Sequence, residues 1–280
     1  ALTHAQMAYG DPAGLIPLRM AIAEHLRAAR AVRCEAEQVL IVSGSQAALR
    51  LATAVLLRQG DRVAVEEPGY SGTRAALGAG GAELVSVPVD EEGMSVSSLH
   101  RRGGRVRAAY VTPSHQYPLG TSMTATRRFA LLDWAFRRKA WLLEDDYDSE
   151  FHYAGKPTAC VQGLDPHERT IYIGTFTKSL FPGLRIGYMV LPMQLVAPMT
   201  VARTLLDGQY RALETQLGKL EAQADTGQLA ELDARIKSLE TQLTDGSAEL
   251  GEIQQQVVAR SRGFAPVFTA LARHPLQGLW

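Results

Sequence analysis

An α/β fold, with a mostly parallel central sheet covered on both faces by helices, is what residues 14 to 191 predict. Short, strongly apolar and β-branched runs recur along this stretch, and segments with a helical apolar period separate them. Strands that apolar belong in a sheet buried on both sides.

The elements follow in order. In "GLIPLRMAIAEHLRAAR", Leu18, Ile22 and Leu26 recur every four residues and mark one apolar helix face. "QVLIVS" reads as a strand. "SQAALRLATAVLLRQG" reads as a helix with Ser45 near its start and Gly60 just past its end. "RVAVEE" is the next strand, followed by a helix near 69–79, the strands "AELVSVPV" and "VRAAYVTP", and a helix near 124–138. "AWLLEDDY", "RTIYIGTF" and "RIGYMVL" complete the strands. Composition changes near residue 209, towards Gln, Glu, Leu and Ala. Leu229, Leu232, Ile236, Leu239, Leu243, Leu250, Ile253 and Val257 keep an alternating three-four spacing, and Leu213, Leu217, Leu220 and Ala224 keep it in another phase. The phase breaks at the turn signal Asp225-Thr226-Gly227. The predicted domains are therefore 1–208, truncated at both ends; a helical hairpin or coiled-coil tail at 209–262; and a short segment at 263–280.

Bulk properties narrow the function. The 280 residues carry no net formal charge, which gives no global pull towards nucleic acid or an anionic membrane. Cys34 and Cys160 lack metal-site or disulfide-framework spacing and fit a reducing cytoplasm. No apolar run approaches the ~20 residues of a membrane span. The chain opens at Ala1 without an initiator Met, which predicts a piece of a longer protein.

In parallel sheets ligands gather at the carboxyl ends of strands, and the informative residues sit there. "IVSGSQAAL" runs strand, Ser43-Gly44-Ser45-Gln46, helix; this is either an anion site on a helix N-terminus or ordinary capping by Ser45. "WLLEDDYDSEF" ends a strand on Glu144, Asp145 and Asp146. Alternation puts Asp145 and Tyr147 on one face and Asp146 on the other. A carboxylate there can hold the proton of a heterocyclic nitrogen, and a phenol beside it can bond a ring oxygen. A metal site, weakened because His152 has no partner at ligand spacing, and a solvated acidic turn are the alternatives. Tyr70, in "EEPGYSG", either stacks on a planar ligand or caps the core; His115, in "TPSHQYPLG", reads as structural. "IYIGTFTKSLFPGLRIGYMV" sets Lys178 between two buried strands, among hydroxyls and ahead of Arg185. Together these pieces fit a phosphorylated, planar, pyridinium-like aldehyde. Lys178 would form a Schiff base with it, Asp145 would keep its ring nitrogen protonated, and Thr175, Arg185 and the Ser43–Gln46 turn would hold its phosphate.

With "YGDPAGLIPLR", "EEPGY", "TPSHQYPLGTSM", "EDDYDSEFHY" and "IYIGTFTKSLFPGLRIGYMVLP", the chain resembles the fold-type I pyridoxal-phosphate enzymes. Among them it is most similar to the aminotransferase-like domain of MocR/GabR-type bacterial regulators. The resemblance covers about residues 9 to 205. It implies a pyridoxal 5'-phosphate cofactor, with Lys178, Asp145 and Tyr147 as the catalytic set and Tyr70 against the ring. Gly44, Ser45, Gln46, Thr175, Thr177 and Arg185 would surround the phosphate, and Tyr9 would reach it from the neighbouring subunit of a homodimer. Thr177 stands where the family usually has Ser, and keeps the hydroxyl. The partner implied is a small amino compound that is either sensed or transaminated, with no membrane and no nucleic-acid contact by this fragment itself. The family's winged helix-turn-helix is not in this sequence. No stretch after residue 205 aligns with the small domain whose arginine grips a substrate carboxylate, so an inactive, truncated or fused remnant is a further reading.

Overall fold

The computed structural model describes residues 10–102, 105–148, 159–178 and 185–223. Helix α1 (Ile16–Arg30) turns Ile22, Ala23 and Leu26 inward and ends on Ala31 in the left-handed conformation. After a short 3-10 turn come β1 (Val39–Val42), α2 (Ser45–Leu56), β2 (Arg62–Glu67), α3 (Ser71–Ala79) and β3 (Glu83–Asp90). Then follow β4 (Gly93–Met94), α4 (Val96–Arg102), β5 (Val106–Val111), α5 (Ala125–Arg138) and β6 (Trp141–Asp146). The last are α6 (Val161–Leu164), β7 (Thr170–Thr175), β8 (Gly187–Val190) and α7 (Met193–Gln223). Thr124 caps α5, its side chain accepting from the Arg127 amide, as Thr does at such a position.

The strands form one eight-stranded sheet in the order β1-β8-β7-β6-β5-β2-β3-β4. From β7 through β6, β5 and β2 to β3 all pairs are parallel; β8 is antiparallel to both β7 and β1, and β4 to β3. Because β8 runs backwards, its amino end lies on the edge where β6 and β7 finish. One face of the sheet packs Ala108, Leu143, Ile173 and Met189 against Leu49 and Ala52 of α2, Leu77 of α3 and Met199 of α7. The other packs Ala109 and Leu142 against Leu131 and Trp134 of α5, and Tyr172 and Val190 against Ile22 and Leu26 of α1. Each Leu, Ile, Val or Met among them contributes roughly 1.5–3 kcal/mol by leaving water, so the sheet is held from both sides.

Two features differ from the sequence reading. Helix α2 stops at Leu56; Leu57 is already extended, and Gly60 lies in the turn beyond rather than at the cap. Strand β4 and helices α4 and α6 had no periodic signal, being two, seven and four residues long. Helix α7 runs through the compositional change at 209, and Ala8–Gly208 forms one compact unit. The turn at 225–227, the leucine repeat after it and the 263–280 segment lie outside the described residues. Among the described residues no helix is long and apolar enough to cross a membrane.

Candidate functional site

A cleft of about 440 Å³ opens on the edge where the parallel strands end, within the range of small-molecule sites. Gly44, Ser45, Gln46, Tyr70, Asp145, Tyr147, Thr175, Thr177, Lys178 and Arg185 all line it, with Ser43, Tyr110, Thr112 and Tyr117. Tyr9 lies outside the described residues, as does His152.

One end of the cleft is built to take an anion. Gly44, not Ser45, is the N-cap of α2, and no side chain caps it. The alternative of ordinary capping by Ser45 is thereby removed; the Ala47 amide bonds the Gly44 carbonyl, and the Ser45 and Gln46 amides at the helix start, in residues that line the cleft, are its candidate anion donors. Gly44 needs its glycine, at φ +88; a Cβ on Gly187 would come within 2.9 Å of the Gly44 Cα and 3.0 Å of the Gly174 carbonyl oxygen. Two glycines therefore let the turn close onto the start of β8. The Thr175 hydroxyl donates to that of Thr177 at 2.9 Å, and the Thr177 amide donates back at 3.2 Å. Arg185 holds φ +47, a conformation uncommon outside glycine and enriched at functional sites. The buried Gln46 Nε2 has no partner.

The other end presents a carboxylate. Asp145 is 5% exposed; its Oδ2 accepts from the Tyr110 hydroxyl at 2.7 Å, while Oδ1 is buried with no partner among the described residues. Burial pushes this carboxyl up to about 7, opposed by the Tyr110 bond and reinforced by Asp146, Asp148 and Glu66. Asp146, one residue on, faces the opposite side, where its Oδ2 takes Arg30 Nε at 3.0 Å and the Tyr172 hydroxyl at 2.5 Å. Glu144 shares that side and accepts from the Val161 and Gln162 amides, both at 2.8 Å. The three adjacent acids are thus separated by strand parity, and the solvated-turn alternative fails because all three are buried. Among the described residues no group of three metal-binding side chains gathers.

Aromatic rings frame the mouth. Tyr70 meets Tyr117 edge-on at 5.7 Å, and Tyr117 meets Tyr147 edge-on at 6.4 Å. Tyr70 is 44% exposed, so it does not cap the core. His115 lies parallel to Tyr147 at 6.2 Å, and its Nδ1 pairs with Asp148 Oδ2. Tyr110 and Thr112 carried no prediction. They alternate along "AAYVTP" onto the cleft face, so the parity that sorted Asp145 from Asp146 was the signal available for them.

A donor-seeking carboxylate oxygen, an amine and an anion cradle in one cleft fit a protonated heterocycle bearing an aldehyde and a phosphate. A second cleft, about 400 Å³, lies at the opposite edge among Arg58, Arg105, Arg107, Arg138 and Lys139. Its cations gather where α2 and α5 end, Arg107 Nε reaching the Leu56 carbonyl at 3.4 Å, and they complement the carbonyl ends of those helices.

Known proteins share this sequence and fold. The chain is 48% identical over 178 residues to the probable rhizopine catabolism regulatory protein MocR of Rhizobium meliloti, covering 64% of this chain and 36% of that protein. It is 43% identical over 187 residues to the uncharacterized HTH-type transcriptional regulator YdeL of Bacillus subtilis, covering 67% and 40%. The chain thus spans well under half the length of these relatives. Among solved structures, Pyrococcus horikoshii kynurenine aminotransferase superposes with a TM-score of 0.68 at 34% identity, over 72% of this chain and 51% of that one. The family model for class I and II aminotransferases matches residues 2–271, past the limit near 205 that the motifs alone supported. With that match over nearly its whole length, the chain belongs to the class I and II aminotransferase family.

Proposed function

We propose that this chain is the pyridoxal-phosphate-binding, aminotransferase-like domain of a MocR/GabR-type regulator, and that it senses a small amino compound at Lys178. The observation that carries the reading is the convergence of an unpartnered Asp145 oxygen, Lys178 and an uncapped helix start in one cleft. Pyridoxal phosphate, when bound, supplies an electron sink for the carbon bearing the substrate's amine. The residues divide the remaining work. Lys178 would be the amine that holds the cofactor's aldehyde carbon, the carbonyl oxygen leaving as water, and it would give up that place to an incoming amine. Asp145 accepts the ring N–H and keeps the proton on the nitrogen. The Tyr147 hydroxyl bonds the ring oxygen, and Tyr70 covers a ring face. The first turn of α2, Thr175, Thr177 and Arg185 would hold the phosphate, and the family resemblance assigns Tyr9 of a second copy to the same group. Two buried free cysteines suit a cytoplasmic protein.

A plain aminotransferase is the second reading, favoured by the likeness to kynurenine aminotransferase. In it the freed Lys178 amine is the general base that moves a proton from the amine-bearing carbon. The higher identity to regulators, 48% and 43% against 34%, favours sensing. The test is to mix the protein with pyridoxal phosphate, record the visible spectrum, reduce with borohydride and map the label by mass spectrometry. A visible band and a label on Lys178 are expected. A label scattered over surface lysines would overturn the site; no band at all would leave the inactive-remnant reading. Titrating amines then separates the two functions, because a spectral shift without turnover belongs to a sensor.

A further inference from the structure

We infer that the Tyr110 hydroxyl is the positioning group for Asp145: it occupies Oδ2 and so leaves Oδ1 as the acceptor for the cofactor's ring N–H. The inference rests on the pyridoxal-phosphate reading above and adds to it a residue that no motif of the sequence pointed to.

The geometry is specific. Tyr110 stands on β5 opposite Leu143 of β6 in the parallel register, two residues short of Asp145 and on the same face. That step is about 6.6 Å along the strand, a distance a phenol spans and a serine does not. Tyr110 is 3% exposed, so its ring is fixed by packing and its hydroxyl has little freedom to turn to water. The hydroxyl has one proton, and Asp145 Oδ2 receives it at 2.7 Å.

The neighbouring carboxylates show why this arrangement singles out one atom. Glu66 is engaged at both oxygens, by the Thr112 amide on one and by the Thr112 hydroxyl and Gln116 Nε2 on the other. Glu144 is engaged at both by backbone amides. Asp146 keeps Oδ1 open, but bonds Arg30 on the far face. Among the described residues, only Asp145 both lines the cleft and offers a buried, open carboxylate oxygen. A carboxylate held at one oxygen by a rigid donor is preorganised; one held by nothing rotates, and a site that is loose by an ångström loses most of its advantage. Burial already disfavours the charged form of Asp145, and the Tyr110 bond acts against that tendency. The charged and titratable groups around it are Asp146, Asp148 and Glu66, with Lys178 and Arg185 elsewhere in the cleft.

The test is a double-mutant cycle on the full chain with Tyr110→Phe, Asp145→Asn and the pair. Cofactor affinity is read by fluorescence titration, ring protonation by the nitrogen NMR signal of 15N-labelled pyridoxal phosphate, and attachment by borohydride labelling. Tyr110→Phe alone should weaken binding roughly tenfold, the scale of one hydrogen bond to a charged group, and move the nitrogen signal towards that of an unprotonated ring. In the Asp145→Asn background the same change should cost less than about twofold, as for a residue that acts only through Asp145. An equal loss in both backgrounds, or none in either, would overturn the inference. Should Tyr110→Phe not fold, 3-fluorotyrosine at position 110 keeps the shape and sharpens the donor; an unmoved nitrogen signal then overturns it. Failure of the unsubstituted protein to label at Lys178 would overturn the cofactor reading instead, so the two failures are distinct.

Discussion

Asp145 and Asp146 are neighbours in sequence with opposite fates. Asp145→Asn keeps shape and removes charge, so cofactor binding should persist in altered form while any proton-shift chemistry is lost, read as single-turnover rates. Asp146→Ala should leave the cleft intact but take from Arg30, a buried guanidinium, its carboxylate partner, leaving it the neutral hydroxyls of Ser114 and Tyr172. Loss of one partner of a buried pair typically costs about 3–5 kcal/mol, which urea denaturation would report. If Asp146 governed cofactor chemistry and Asp145 did not, the parity assignment would be wrong. The pH dependence follows from burial. Asp145 sits near 7 in the folded, cofactor-free chain against about 3.9 unfolded. Between those values the folded state holds more protons, so this group makes stability fall as pH rises from about 4 to 7. Asp145→Asn should remove that contribution and raise the cofactor-free Tm at pH 8 by about 2 °C or more, on the order of 1 kcal/mol. Glu144, near 7, and Glu66, near 6, act in the same direction and remain in the variant, so the slope should lessen without vanishing. An unchanged or lowered Tm at pH 8 would count against an Asp145 carboxyl raised by burial.

At the scale of elements, the site depends on β8 running against β7. That reversal returns the chain to the edge it has just left, which is why Lys178 after β7 and Arg185 before β8 reach one cleft. It also sets Gly187 beneath the Gly44 turn. A Cβ at 187 meets backbone on two sides, so Gly187→Ala should push the α2 turn away and weaken cofactor binding at least tenfold, about 1.4 kcal/mol. Gly44→Ala has open space for its Cβ but an unfavourable φ, and should act through backbone strain of about 1–3 kcal/mol. Equal affinities for Gly187→Ala and the unsubstituted protein, by fluorescence titration, would mean the turn does not form part of the cradle. The strands of this edge were readable because burial on both faces demands apolar runs. The ends of α2 and the existence of α4 and α6 were not, because short helices show too few turns for a period to emerge.

At the scale of the whole molecule, the cations lining the described cleft are Lys178 and Arg185, and the proposed phosphate cradle uses Arg185. A substrate carboxylate then finds no guanidinium of its own among the described residues, and a bidentate arginine is what fixes such a group in direction as well as charge. The expected outcome is that this 280-residue chain, loaded with cofactor, shows negligible steady-state transamination. Orientation is worth orders of magnitude in rate. A coupled assay over a panel of amino donors, with Lys178→Ala as the blank, checks this; turnover well above the blank would favour the enzyme reading.

The sequence by itself determined the parallel sheet, the strand ends and the division of Asp145 from Asp146, because burial and two-residue alternation are local properties. The same signals marked Lys178, Arg185 and the Gly44 turn as chemistry out of place in a core. Tertiary structure decided the rest. It chose Gly44 over Ser45 as the cap and made Tyr70 a surface ring. It also brought Tyr110 to Asp145 across 35 positions of chain. Those outcomes depend on which strand lies beside which, and strand order is set by packing between residues that no local pattern connects.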